Sequence, residues 1–245
     1  MTLSTIRNNP AKQKKVKTKK QKAIAATCAV AFWLLVWHVV SLCVGSELVL
    51  VSPVKVVQTL FTVIFDPDFL KTVWYSAARI LGGFFTALTL GTVLGWVASR
   101  FWVVETLLRP ITAAIKATPV ASFIILVLLW FSGKNLSVII SMLMVFPVIY
   151  MNVLEGIRSA DEELLEMAQV FRLSVSKKLL YIYLPAVAPF FVSACSVSLG
   201  LCWKSGIAAE VIGTPDGSIG AVFYQAKIFL QTSELLAWTV VVVAV

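Results

Sequence analysis

The side chains able to do chemistry in this 245-residue sequence are few and dispersed. His38 is the sole histidine and lies in an apolar run. Such a residue is more often a bundle-facing or interfacial polar group than a ligand. Cys28, Cys43, Cys195 and Cys202 also lie in apolar stretches. None has the spacing of a metal-ligand set, so they read as small buried hydrophobes. No Gly-x-x-x-x-Gly-Lys loop is present to cradle a nucleotide phosphate. No catalytic constellation and no metal site emerges, and the sequence reads as a non-enzyme. The remaining polar candidates cluster late in the chain. Lys204 and Glu210 stand beyond a long apolar run, as ordinary interfacial charges, as an ion pair, or beside the route of a solute. Trp203 and the hydroxyls of Ser193, Ser196 and Ser198 could line such a route, or the hydroxyls could bond to backbone carbonyls.

The most informative polar interruption of the apolar pattern runs over residues 159–189. Ser159 followed three residues later by Glu162 reads as a capping box. Asp161, Glu162 and Glu163 put negative charge in a first helical turn, where the helix dipole favours it. Leu164, Leu165, Ala168 and Phe171 then recur at helical spacing. The pattern predicts a short amphipathic helix over 160–171. A second helix starts after Ser174 or Ser176, and Pro185 opens the next apolar run. This helix–turn–helix is too short to cross a bilayer and too well capped to be a linker. Its apolar stripe can pack on the chain's own ends, lie in the membrane interface, or dock in a groove on a soluble partner.

The surrounding elements must be membrane helices. Of the residues, 59% are hydrophobic and 13% charged, against roughly 25% charged in a soluble domain. The bilayer is the solvent that suits such a chain. The net charge of +9 is concentrated in residues 1–22, a Lys-rich tail without acids. It lacks the interleaved aromatics of a nucleic-acid binder and reads as a cytoplasmic anchor. Residues 23–245 then form one membrane domain. Apolar runs predict about six spans: 23–44, 80–98, 120–131 with 111–117 before it, 136–154, 186–203 and 235–245. The first is too long for a signal-peptide core and is read as retained. The last is too short to span: its helix either continues past residue 245, the reading we favour, or ends inside the membrane. The positive-inside rule puts the N-terminus and the 158–185 loop in the cytoplasm, with residues 46–79 and 204–234 outside. Gly133 suits a tight turn between the third and fourth spans. Pro110, Pro119, Pro147 and Pro189 predict kinks or breaks.

The second run carries a packing signature. Gly83, Ala87, Gly91, Gly95 and Ser99 follow one another at i, i+4, which gives one narrow ridge of small side chains along a helix. Lipid supplies no hydrophobic drive between helices, so a ridge permitting close backbone approach is a helix–helix seam.

Taken together, the motifs resemble a known family. Glu166-Met167-Ala168, then Leu184-Pro185-Ala186 and Pro189, are similar to the cytoplasmic loop of binding-protein-dependent ABC importer permeases. Pro119 through Trp130-Phe131, and Trp203-Lys204 followed by Ala208-Ala209-Glu210 and Gly213, resemble the nitrate/sulfonate/taurine branch. The resemblance covers nearly all of residues 47–245. It implies an all-α type I importer permease fold in the cell membrane. It implies that the loop is a coupling helix seated in a cleft of a separate ATPase, with Ser159, Glu162, Leu165, Glu166, Ala168, Gln169, Phe171 and Arg172 at the contact. It implies ATP and Mg in that partner and no cofactor in this chain. A second copy or a related permease would complete the pathway, and an extracellular binding protein would deliver the solute. Three positions depart from the pattern. Arg172 stands where glycine is usual, so a different turn or some strain is expected. Met167 replaces a small residue, and Ile125 replaces a proline. The competing reading is a secondary transporter driven by an ion gradient. That class tends to carry intramembrane acids or paired charges, and away from the ends of the runs this sequence has none.

Overall fold

The computed structural model describes residues 19–245, with side chains from residue 24 onward. Most of the basic tail therefore lies outside the described residues. Among them there is no strand; the chain is helices joined by short turns. In order these are α1 (Lys19–Val44), α2 (Pro53–Ile64), α3 (Phe69–Arg100), α4 (Trp102–Ala117), α5 (Val120–Leu128) and α6 (Gly133–Arg158). They are followed by α7 (Glu162–Val170), α8 (Val175–Lys178), a π turn over Leu179–Tyr183, α9 (Leu184–Gly213), α10 (Ile219–Ile228) and α11 (Thr232–Ala244). Helical backbone throughout is what a bilayer demands, since each peptide group must find its partner within its own segment.

Four helices are long and apolar enough to cross a membrane, or five if α4 and α5 count as one broken span. Among the described residues that count does not confirm the six spans read from hydropathy, and the last of those runs is the short apolar helix α11. The predicted third span is bent by 106° between α4 and α5. The break falls at Pro119, whose ring disfavours a helical Thr118 and whose missing N–H ends the ladder. Thr118 is extended, with φ −85° and ψ 132°. The predicted fifth span is longer than its apolar run. It continues from Val175 through the π turn to Gly213, 39 residues in all. The π turn sits directly before Pro185, where Leu184 N–H bonds back five residues to Leu179 O. The wider turn relieves the clash that a proline ring makes with the carbonyl four residues earlier. The region read as an outer loop at 204–234 thus holds the end of α9 and all of α10. The last helix, α11, is 13 residues long.

The core is the α3–α6–α9 bundle. Gly83 faces Val138 and Ser141, Gly91 faces Ile149, and Gly95 faces Tyr150 and Val153. Both series ascend together, so α3 and α6 run parallel. Against them α9 is antiparallel: Gly156 meets Val187, Ser141 donates to Cys202 O at 3.2 Å, and Gly133 abuts Gly213. One end of the bundle therefore carries Arg100, Arg158, α7 and α8. The other carries Gly133, Gly213 and α10.

The predicted ridge is the α3–α6 seam. Gly83, Ala87, Gly91 and Gly95 are all buried, and Ser99 is half-buried at its end. A Cβ at Gly83 would stand 2.3 Å from Val138 O, and one at Gly91 or Gly95 would stand 3.0 Å from α6 atoms. Gly206 on α9 closes the same junction, with a Cβ there lying 2.5 Å from Ile80. Gly133 serves close approach too, to Gly213 O, rather than a left-handed turn. The cysteines divide. Cys202 is buried, whereas Cys28 and Cys43 are exposed on α1, so burial is not their common role.

The seam yields a direct test. Gly83→Val must separate α3 from α6 or push a backbone carbonyl aside. We expect it to destabilise the detergent-solubilised chain by about 1–3 kcal/mol, the usual cost of overpacking a tight core. Gly82→Val, one residue away with open space around it, should leave the melting midpoint nearly unchanged. Equal behaviour of the two variants would remove the seam from its structural role.

Candidate coupling loop and pathway face

The loop after α6 is built on three short connections. α7 starts at Asp161, whose carboxylate accepts from Glu163 N–H at 2.9 Å. Ser159, the predicted cap, instead donates to Gly156 O within the last turn of α6 at 2.9 Å. The capping box is therefore corrected: Asp161 is extended, as a cap must be, while Ser159 is still helical. Glu162 and Glu163 occupy the first turn, where the dipole favours them.

At its other end α7 closes with the two bonds of a Schellman motif. Leu173 N–H reaches Ala168 O at 2.9 Å, and Arg172 N–H reaches Gln169 O at 3.0 Å. Arg172 is the left-handed residue, with φ 50°. So the turn that a glycine would make without strain is made here by an arginine. The conformation costs a Cβ-bearing residue about 1–2 kcal/mol.

Inside the elbow, Ala168 and Ile182 are buried with Ala160, and Leu165, Leu173, Tyr183 and Ala186 pack around them. This small cluster ties α7 to the start of the α9 helix. The predicted apolar stripe is split by it. Leu165 and Ala168 face inward, while Leu164 and Phe171 face outward. Val170 and Val175 are each 78% exposed and Phe171 is 71% exposed. Met167 extends this bare apolar patch, and Glu162, Glu163, Glu166 and Gln169 are exposed on α7 around it. Met167, where a small residue was expected, thus adds outward apolar surface.

The second set of candidates does not form one site. Ser193, Ser196 and Lys204 are exposed and fall at i, i+3 and i+11, one face of α9, with exposed Gly200 between them. This face of α9 is left uncovered by the chain's own helices. Trp203 turns away from it, and its indole N–H donates to Val242 O on α11 at 2.8 Å. Ser198 is buried, and its hydroxyl has no hydrogen-bond partner.

Glu210 is also off that face. It is fully buried at the end of the bundle remote from α7, and it makes no ion pair with Lys204. Ser76 Oγ donates to Glu210 Oε2 at 2.6 Å and accepts from Ile219 N–H at 2.9 Å. Gly220 N–H reaches the same Oε2 at 3.4 Å. The carboxylate thus sits at the amino end of α10, where free N–H groups and the helix dipole favour an anion. A Cβ at Gly220 would lie 2.3 Å from Glu210 itself, so α10 is pressed directly onto α9. This interlock was missed by sequence reasoning, since its partners are 134 and 143 residues apart in the hydrogen bonds concerned. His38 is half-buried on α1, with Nδ1 unpartnered. Among the described residues no group of three or more potential ligands could hold a metal.

Comparison with known proteins gives this geometry its setting. Residues 87–245, well over half of the chain, match the family described as "Binding-protein-dependent transport system inner membrane component". The putative aliphatic sulfonates transport permease protein SsuC of Bacillus subtilis is 29% identical over 211 residues, which is 85% of this chain and 76% of that protein. The taurine transport system permease protein TauC of Escherichia coli is 27% identical over 84% of this chain and 77% of its own length. The nitrate import permease protein NrtB of Synechocystis is 25% identical over 83% of this chain and 76% of its own. This chain, a multi-pass helical membrane protein, belongs to the inner-membrane permease components of binding-protein-dependent transport systems.

Proposed function

We propose that this chain forms one half of the translocation pathway of an ATP-driven importer for a small anionic solute, and that α7 is the contact with a separate ATPase. The observation that carries the reading is the asymmetry of α7. One face is fixed to the bundle through buried Ala168, while the other presents Val170, Phe171 and Val175 to solvent. A bare apolar patch with a polar rim marks a protein–protein surface. Arg100, Arg109, Arg158, Arg172, Lys177 and Lys178 lie at the same end of the bundle, which supports a cytoplasmic location by the positive-inside rule. The Lys-rich N-terminus accords with that orientation.

The mechanism needs two arrangements of one bundle. Closure of two ATPases on ATP and Mg would push on α7. The elbow cluster joins α7 to a single helix running from Val175 to Gly213. A push at the elbow would therefore tilt that helix as a rigid lever. A second copy, or a related permease, would face the uncovered side of α9. Ser193, Ser196 and Lys204 would then line the shared route, with Lys204 as the positive group near its outer mouth. An external binding protein would deliver the solute there. Sulfonates, taurine and nitrate, named for the relatives, share an anionic group that such a route would suit. The ion-gradient alternative finds no support in the family.

Two outcomes check this reading. Glu166→Arg should abolish solute uptake while leaving membrane insertion intact. Phe171→Asp should weaken co-purification of the ATPase by about 30-fold or more, the scale of losing a buried aromatic anchor at about 2 kcal/mol. Normal uptake in Glu166→Arg would remove α7 from the coupling role. Separately, Arg172→Gly should relieve the left-handed strain while loosening the unfolded chain, for a net gain of up to about 1 kcal/mol. A melting midpoint raised by roughly 2–4 °C would record it.

A further inference from the structure

A second polar feature lies at the α7 end of the bundle, outside both sites above. α4 and α6 enclose a cleft of about 390 Å³. On α4, Glu105, Arg109 and Lys116 line it at i, i+4 and i+11, so one helical face supplies all three. On α6, Tyr150, Glu155 and Arg158 line it from the facing side. The cleft runs inward from Arg158 by two helical turns to Tyr150, about 12 Å at 1.5 Å per residue. Lys116 brings the last turn of α4, next to the break at Thr118 and Pro119, into the lining.

The charges in this cleft are not mutually satisfied. Glu105 accepts from Arg158 Nη2 at 2.5 Å, and that pair is complete. Among the described residues Arg109 and Lys116, both exposed, have no ion-pair partner, and the remaining acid of the lining is Glu155. The Tyr150 ring is stacked on Phe146, with centroids 5.9 Å apart, so its hydroxyl is held in one place. That hydroxyl is buried and has no hydrogen-bond partner among the described residues. A buried O–H without an acceptor is costly and calls for a missing partner. Two cations unpaired among the described residues and one unmet donor describe the complement of an anion with several acceptor oxygens.

We propose that the α4–α6 cleft is an oxyanion-binding site, in which Arg109 and Lys116 neutralise the charge and the Tyr150 hydroxyl donates to one oxygen. The chemistry suits a sulfonate or sulfate, and equally the phosphate of an anionic lipid headgroup reaching in from the leaflet at this end. Binding here requires no nucleotide and no ATPase, so it is separable from the coupling role of α7. It is also separable from Lys204, which lies toward the opposite end of the bundle.

The full-length chain in neutral phosphatidylcholine nanodiscs tests the site with methanesulfonate as probe. Saturable binding, read by calorimetry, should weaken at least about tenfold in Arg109→Gln/Lys116→Gln, and about tenfold in Tyr150→Phe, the cost of one hydrogen bond to a charged group. Tyr150→Phe removes one oxygen and keeps the ring, so it carries the test if the double variant does not fold. In a parallel arm, nanodiscs with phosphatidylglycerol are read by native mass spectrometry for retained lipid. Sulfonate binding lost in the cleft variants identifies the solute class as ligand. Retained phosphatidylglycerol lost in those variants, without sulfonate binding, identifies the headgroup. Either supports an oxyanion site. If the native chain holds neither probe, or if the cleft variants hold them as well as it does, the site is overturned.

Discussion

Everything else in this molecule depends on how closely α3 and α6 can approach. In lipid, apolar side chains gain nothing by leaving one hydrocarbon surface for another. What holds two spans together is contact at short range, and contact at short range needs an absence of side chains. Gly83, Ala87, Gly91 and Gly95 provide it over three turns of helix. The parallel pair so formed is the platform on which α9 lies, through Gly206 and the Ser141 bond to Cys202 O. The two ends of the bundle inherit their positions from that platform.

The ends are built differently, and the difference suits different work. At the α10 end, a buried carboxylate gathers Ser76 and the first N–H groups of α10 into one network. Buried polar groups are tolerated only when their partners are close, and a network of this kind fixes one arrangement of helices. Thr214, the residue ending α9 beside it, is left-handed at φ 42° despite its branched side chain, a sign that packing overrides local preference there. At the α7 end, the elbow is a small apolar cluster under an exposed patch. It can be pushed from outside without exposing any buried charge.

A 39-residue helix links these two ends. It includes a π turn before Pro185 and a further proline at Pro189, yet it does not break. The wider turn absorbs the proline without ending the helix, which keeps the elbow mechanically joined to the bundle. By contrast, Pro119 faces no such accommodation, and the chain bends by 106°. Two prolines in similar apolar surroundings thus give a continuous lever in one case and a sharp corner in the other. That corner brings the basic face of α4 alongside α6.

The sequence by itself determined the class, the seam and the existence of the elbow. Apolar runs, a small-residue ridge and a cluster of acids at a helix start are local patterns, and each follows from the chemistry of a few neighbouring residues. Only the fold collects Ser193, Ser196 and Lys204 on one exposed face of α9 and turns Trp203, Ser198 and Glu210 away from it. What the sequence could not supply were the relations between distant residues. Ser159 and Asp161 are both good caps, and only the length of α6 decides between them. Glu210 and Lys204 look alike as charges near a span end, yet one is buried against α3 and α10 and the other is bare. Whether a proline bends or is absorbed depends on the packing of the helix that contains it. The physical reason is common to all three cases: burial and hydrogen-bond partners are properties of assembled helices, and no window along one chain segment contains them.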